Sequence, residues 1–136
     1  MTAPQFVGWT LLNASAVTAI CGTRINHGMR PQSSSASALP AINYYEMPGA
    51  RNNCIESETF SINCRAVTAG TAMILAKKVI DVFHGSSGTG MYGVNNGFGV
   101  ARSSLRNHNG LIPEPDASAH NVPVDILLTY AVDAVS

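Results

Sequence analysis

The stretch from Gly85 to Gly99 reads GSSGTGMYGVNNGFG, and within it Gly88, Gly90 and Gly93 carry the G-x-G-x-x-G spacing of a dinucleotide-binding loop. That fingerprint works where its glycines join a strand to the start of a helix, so that backbone amides and the positive end of the helix dipole meet a pyrophosphate. Here the order is reversed. A helical pattern precedes the glycines and a strand-like one follows, and no G-K-[ST] completes a P-loop. The stretch reads as a flexible helix-to-strand loop, and no cofactor is expected.

The thiols and imidazoles, Cys21, Cys54, Cys64, His27, His84, His108 and His120, are the next candidates for chemistry. Zinc sites bring ligands together in pairs two to five residues apart. The closest pairing, Cys21 with His27, is six apart across a helix end and matches no standard knuckle. Cys64 falls on the apolar side of a strand and Cys21 at the end of an apolar stripe, the positions of small core residues. Glu56 with Glu58, and Glu114 with Asp116, are acid pairs of the kind glycoside chemistry uses, but solvated acids at a strand start or in a loop explain them. The serines have no G-x-S-x-G elbow around them. No catalytic or metal-binding residue is assigned.

Charge narrows the classes further. Asp, Glu, Lys and Arg make up 12% of the 136 residues, eight acids against eight bases, where an ordinary soluble domain has about 25%. Nucleic-acid binding shows as a basic surplus, which is missing. A chain so poor in charge is badly suited to life as an isolated monomer, so it reads as a subunit. Three cysteines, an odd number, and a start MTAPQFVGWT without a basic, continuously apolar leader lead us to expect reduced thiols in a cytoplasmic setting. No run approaches the ~18 apolar residues of a membrane span.

The elements that would position these residues are legible. Thr2-Ala3-Pro4-Gln5 is a capping box opening a helix whose apolar stripe, Phe6, Trp9, Leu12, Ala16, Val17 and Ile20, runs to a terminating Gly22. A connector follows, with PQSSSASALP at its centre. Ala41 to Glu46 reads as a strand stopped by Pro48-Gly49, and Arg51-Asn52-Asn53 as a turn. From Glu58 the alternation of Phe60, Ile62, Cys64 and Ala66 with Ser61, Asn63 and Arg65 predicts a strand covered on one face only. A second helix is expected from about Thr71 to His84, with Ala72, Leu75, Ala76, Val79, Val82 and Phe83 inward. Gly99 to Arg106 reads as a strand, and Val122 to Asp133 as a closing strand whose Pro123 should lie at a sheet edge or before pairing begins. Residues 1–136 thus predict a single α+β domain: two helices packed on a mainly antiparallel sheet, with long loops at 26–39, 86–98 and 107–120.

The succession of a helix ending in CGTRI, a loop to LPAINYY, the strand FSINCRA, the helix TAMILAKKVIDVFHG and the closing strand VPVDILLTY resembles the tail-terminator and head-to-tail joining proteins of long-tailed double-stranded DNA phages. The resemblance spans nearly the whole chain, and rests on element order and short cues such as Arg24-Ile25, Pro31 and Leu39-Pro40. It implies a non-enzymatic subunit of a hexameric ring that caps the tail tube, ends its polymerisation and receives the head connector or stopper protein. DNA would pass the lumen without specific binding, no membrane would be involved, and the protein would move from host cytoplasm to the virion neck. Another neck ring, stopper or adaptor, is the nearest alternative, and a small-ligand-binding α+β domain a more distant one.

A ring requires a heterologous interface, two different faces that are complementary. Met29, Met91, Tyr92 and Phe98 are large apolar residues in expected loops, and with Arg51 they are the candidate protein interface. Arg102 and Arg106 share an expected strand face and are candidates to line the lumen.

Overall fold

The computed structural model describes residues 2–28, 39–52, 55–84, 93–95, 97–108, 112–113 and 120–131. The capping box forms as expected: the Gln5 amide donates to Thr2 Oγ1 (3.4 Å) and the Thr2 amide to Gln5 Oε1 (2.9 Å), which starts helix α1, Ala3–Leu12. The helix does not run through to Gly22. Asn13 caps it, its side-chain amide donating to the Trp9 carbonyl at 2.9 Å, as asparagine competes well for backbone groups at helix ends. Ala14 then turns extended, and a second short helix, α2, covers Ser15–Cys21. The break rotates the buried face away from the predicted stripe. Phe6, Val7, Leu11, Val17 and Cys21 are buried, whereas Trp9 and Ile20 are only partly covered and Leu12 is exposed.

A three-residue strand β1, Ile25–His27, was not expected. It pairs in parallel with β2, Ala41–Asn52, which turns antiparallel into β3, Ile55–Ala66. Helix α3 spans Ala69–Phe83 and is capped by Thr68, whose Oγ1 accepts from the Thr71 amide at 3.3 Å. Strands β4 (Gly93–Asn95), β5 (Phe98–His108), β6 (Ile112–Pro113) and β7 (His120–Ala131) complete the chain. The sheet order is β1-β2-β3-β7-β5-β4, with β6 also on β7, and every pairing except β1–β2 is antiparallel. The fold is therefore α+β and mostly antiparallel, as the sequence indicated.

The closing strand sits at the centre of the sheet. Its inward residues Val122, Val124, Ile126 and Leu128 and the β3 residues Phe60, Ile62, Cys64 and Ala66 are buried beneath Leu75, Ala76, Val79 and Phe83 of α3 and Phe6, Val7 and Leu11 of α1. Each such large side chain contributes about 1.5–3 kcal/mol by leaving water. The Ser103 hydroxyl donates to the Phe83 carbonyl at 2.6 Å, and the Leu105 amide to His84 Nδ1 at 3.0 Å, so the end of α3 is fastened to β5 by groups that helix termini leave unpaired.

Two prolines depart from expectation. Pro48 and Gly49 do not stop β2, which continues to Asn52 through a bulge between Met47 and Ala50; a bulge is where a strand accommodates a missing donor. Pro123 lies in a central strand rather than at an edge. On the side of β7 away from β3, the β5 pairing ends at Val124 and the β6 pairing begins at Asn121, so the missing amide falls at a gap in that ladder.

Helix α1 approaches the sheet closely at Gly8, where a Cβ would collide with the hydroxyl of buried Tyr44. Gly8→Ala gains helix propensity of about 0.5–1 kcal/mol but overpacks this contact, which costs typically 1–3 kcal/mol. We expect net destabilisation by denaturant melts, and its relief when Tyr44→Phe removes the obstructing hydroxyl in the same chain.

Candidate assembly surfaces

The chemistry of this fold is spread over three surfaces. The first is the far end of the helix-side face. Strands β2, β3 and β7 are each 12 residues long, about 40 Å at 3.3 Å per residue. Helix α3 has 15 residues, about 22 Å. The sheet outruns α3, and register puts Glu46 opposite Phe60, Glu56 opposite Tyr130 and Glu58 opposite Leu128, so three carboxylates share the helix-side face toward one end of the sheet.

Their partners are few. His27 Nε2 makes a close ion pair with Glu46 Oε1, and the His27 ring stacks on Tyr44 with centroids 5.2 Å apart. The hydrogen bond from His27 holds the Glu46 carboxyl below its ordinary range. Glu58 moves the other way: partial burial, followed by the charges of Glu56 and Glu46, raises it, although the Tyr130 hydroxyl donates to it at 3.2 Å. The Tyr130 hydroxyl is itself pushed up by burial and by Glu58 and Glu56. A run of rings, Phe6 to Phe98 at 4.6 Å and Phe98 to Tyr130 at 5.2 Å, closes the core beneath these acids.

The second surface is the opposite face of the sheet. Register aligns Asn26, Asn43 and Asn63 across β1, β2 and β3, and Asn121 of β7 donates to Asn63 Oδ1 at 3.0 Å. The expectation of a face left open to solvent needs correction, because Asn43 and Asn63 are each only 6% exposed, with Thr59 and Ser61 similarly buried. Short polar side chains on a central strand are shielded by the rows beside them. Among the described residues nothing hydrogen-bonds Asn43 Oδ1, Asn26 Nδ2 or Asn121 Oδ1.

The third surface is the outer side of α3. Met73 is 57% and Ile74 55% exposed, one turn before the exposed Lys77, and Val67 at the β3–α3 junction is 63% exposed. Neighbouring exposed aliphatics of this size are uncommon on a monomer without an interaction role.

The candidate residues separate. Phe98 is fully buried as the first residue of β5, stacked between Phe6 and Tyr130, so the expectation of a loop anchor gives way to a core ring. The dipeptide Asn96-Gly97 between Asn95 and Phe98, which pair across β4 and β5, is the hairpin signal that would have revealed it. Met29, Met91 and Tyr92 lie outside the described residues, and Arg51 lies in β2 opposite Glu56 in register. Arg102 and Arg106 are exposed on β5, but a register shift between Leu105 and Asn107 makes Arg106 the extra residue of a bulge, so the two do not alternate regularly on one face.

Catalytic candidates do not converge. Cys21 and Cys64 are buried free thiols pushed up by desolvation, the opposite of a reactive cysteine; Cys54 lies outside the described residues. Among the described residues, no group of three or more histidines, cysteines and acids is placed to hold a metal, and no helix is long and apolar enough to cross a membrane.

No protein-family model matches the sequence, and no curated protein is detectably similar to it. The fold does have a solved counterpart. A chain in the structure of the virion of a native gene transfer agent particle superposes with a TM-score of 0.66 over 96% of this chain and 95% of that one, at 13% identity. At that identity the likeness is one of fold.

The opposed shifts of the two acids give opposite pH behaviour. Glu58, raised in the fold, adds stability below the carboxyl's unfolded value, which is lost as pH rises through the folded one; Glu46, lowered, adds stability above its unfolded value, which is lost as pH falls. Glu58→Gln should therefore raise the melting temperature at pH 7 and lose that advantage near pH 4, while Glu46→Gln should lower it at pH 7. Solvent screening keeps each effect under about 1 kcal/mol, measurable by thermal melts across pH.

Proposed function

We propose that the protein is a structural component of a phage-like virion, and specifically a ring-forming subunit that caps the tail tube, ends its growth and presents a surface to the head connector. The observation that carries this reading is the end-to-end likeness of fold to a chain in a virion, 96% of one chain on 95% of the other. The match takes in nearly all of this chain's fold.

The physical character of the chain supports the same reading. Among the described residues, Cys21 and Cys64 are buried thiols and His27 is tied to Glu46. What the surface offers instead is extended area: exposed aliphatics on α3 and a long sheet whose carboxylates are crowded at one end. With a net charge of zero, little long-range repulsion opposes assembly. A mechanism of this kind needs no bond chemistry. The subunit binds its neighbours around a ring, the closed ring binds the last layer of the tube, and its far side meets the connector.

Sedimentation over a range of concentrations, with negative-stain images of the same samples and of mixtures with purified tail tubes, tests this. Closed six-fold rings, or rings seated at one tube end, are expected. A chain that remains monomeric with and without tubes would refute the ring, and rings that bind connector particles but not tubes would move the protein to a stopper or adaptor position.

A further inference from the structure

Two of the surfaces complement each other. One is the outer stripe of α3, where Met73 and Ile74 lie one turn before Lys77 and Lys78, with Asp81 one turn on and the exposed Val67 just ahead of the helix. The other is the carboxylate end of the sheet, where Glu46, Glu56 and Glu58 lie on one face with the exposed Tyr45 and Met47 of β2 close by on the other. Val67 follows the last residue of β3 and Glu56 lies near its first, while α3 runs back along the sheet until the Phe83 carbonyl and His84 meet Ser103 and Leu105 of β5.

Resting on the reading above, we propose that copies of this chain join head to tail through this pair of surfaces, the α3 stripe of one copy seating on the carboxylate end of the next. Charge complementarity selects the occupant. Glu58 is raised first by partial burial and then by the charges of Glu56 and Glu46, while His27 pairs with Glu46 and Arg51 lies opposite Glu56 in register. An approaching cation relieves that crowding, and the α3 stripe offers Lys77 and Lys78, neither of which makes an ion pair with a described residue. Met73 and Ile74 supply apolar area beside the charges, the usual composition of an interface centre with its rim. Because the two surfaces differ, each copy presents one of each, which is what a closing ring requires.

The sheet edges are poorer candidates. Beyond the short cover of β1 and β4, the edge of β2 carries Pro48 and a bulge, and that of β5 carries two register shifts with Arg102 and Arg106. These are devices by which proteins discourage edge-to-edge pairing.

Charge exchange tests the contact. In the full-length chain, Lys77→Glu with Lys78→Glu, and separately Glu56→Lys with Glu58→Lys, should each abolish assembly as read by sedimentation and negative stain. An equimolar mixture should recover it, since every junction between unlike variants then pairs opposite charges. Met73→Ser, which leaves the charges alone, should raise the concentration needed for half-assembly at least tenfold. Circular dichroism melts establish that each variant is folded. Assembly of either charge variant as well as the unaltered chain, or failure of two folded variants to recover assembly together, would overturn the contact while leaving the ring standing. An unaltered chain that never assembles, with or without tail tubes, would overturn both.

Discussion

The structure depends on the pairing of β3 with β7. All twelve residues of each strand are in register, from Ile55 opposite Ala131 to Ala66 opposite His120, without a bulge. Because side chains alternate, that single ladder decides two things together. It assembles Phe60, Ile62 and Cys64 with Val122, Val124, Ile126 and Leu128 into the floor on which α1 and α3 rest. It also places Glu56 and Glu58 on the same face, opposite Tyr130 and Leu128. A slip by one residue would bury the acids' neighbours Ser57, Thr59 and Ser61 under α3 and turn the phenylalanine outward. The ladder joins the middle of the chain to its last strand, so it closes a loop of long sequence separation and carries the entropy cost of doing so.

Most of that ladder is legible in the sequence, since strict alternation in 58–66 and 122–133 is a strong signal for half-buried strands. Its position is not. Pro123 argued for an edge, yet β7 is central, because a proline needs only a local interruption on one side and the gap between β5 and β6 provides it. The same limit explains β1, too short for a periodic signal and held by its partner's backbone, and the break at Asn13, where side-chain capping outcompetes one more helical turn. Phe98 departs from expectation for a different reason: the run of glycines around it hides the pairing of 93–95 with 98–100.

The candidate surfaces were legible only in part. Glu56 and Glu58 are neighbours in sequence, and an acid pair at a strand start has an ordinary explanation when considered alone. Glu46 joins them only because the β2–β3 hairpin brings it opposite Phe60, and His27 only because a parallel strand lies beside Tyr44. Register across three strands makes the cluster, and no window of sequence contains it. The stripe on α3 is the reverse case. Its helical spacing is visible in the sequence, but only exposure distinguishes Met73 and Ile74 from the other apolar residues of that helix.

The distribution of charge bears on how such a subunit assembles. An isologous contact sets a surface against its own copy, so like meets like. Two α3 stripes brought together would oppose Lys77 and Lys78 to themselves, and two carboxylate ends would add three more acids to a place where burial and the charges of Glu56 and Glu46 already raise Glu58. Both self-pairings carry a like-charge penalty, and the crossed pairing does not. In a chain with only eight acids and eight bases, Glu46, Glu56 and Glu58 share one face of the sheet while Lys77 and Lys78 lie on α3, a distribution that weighs against either surface meeting its own copy.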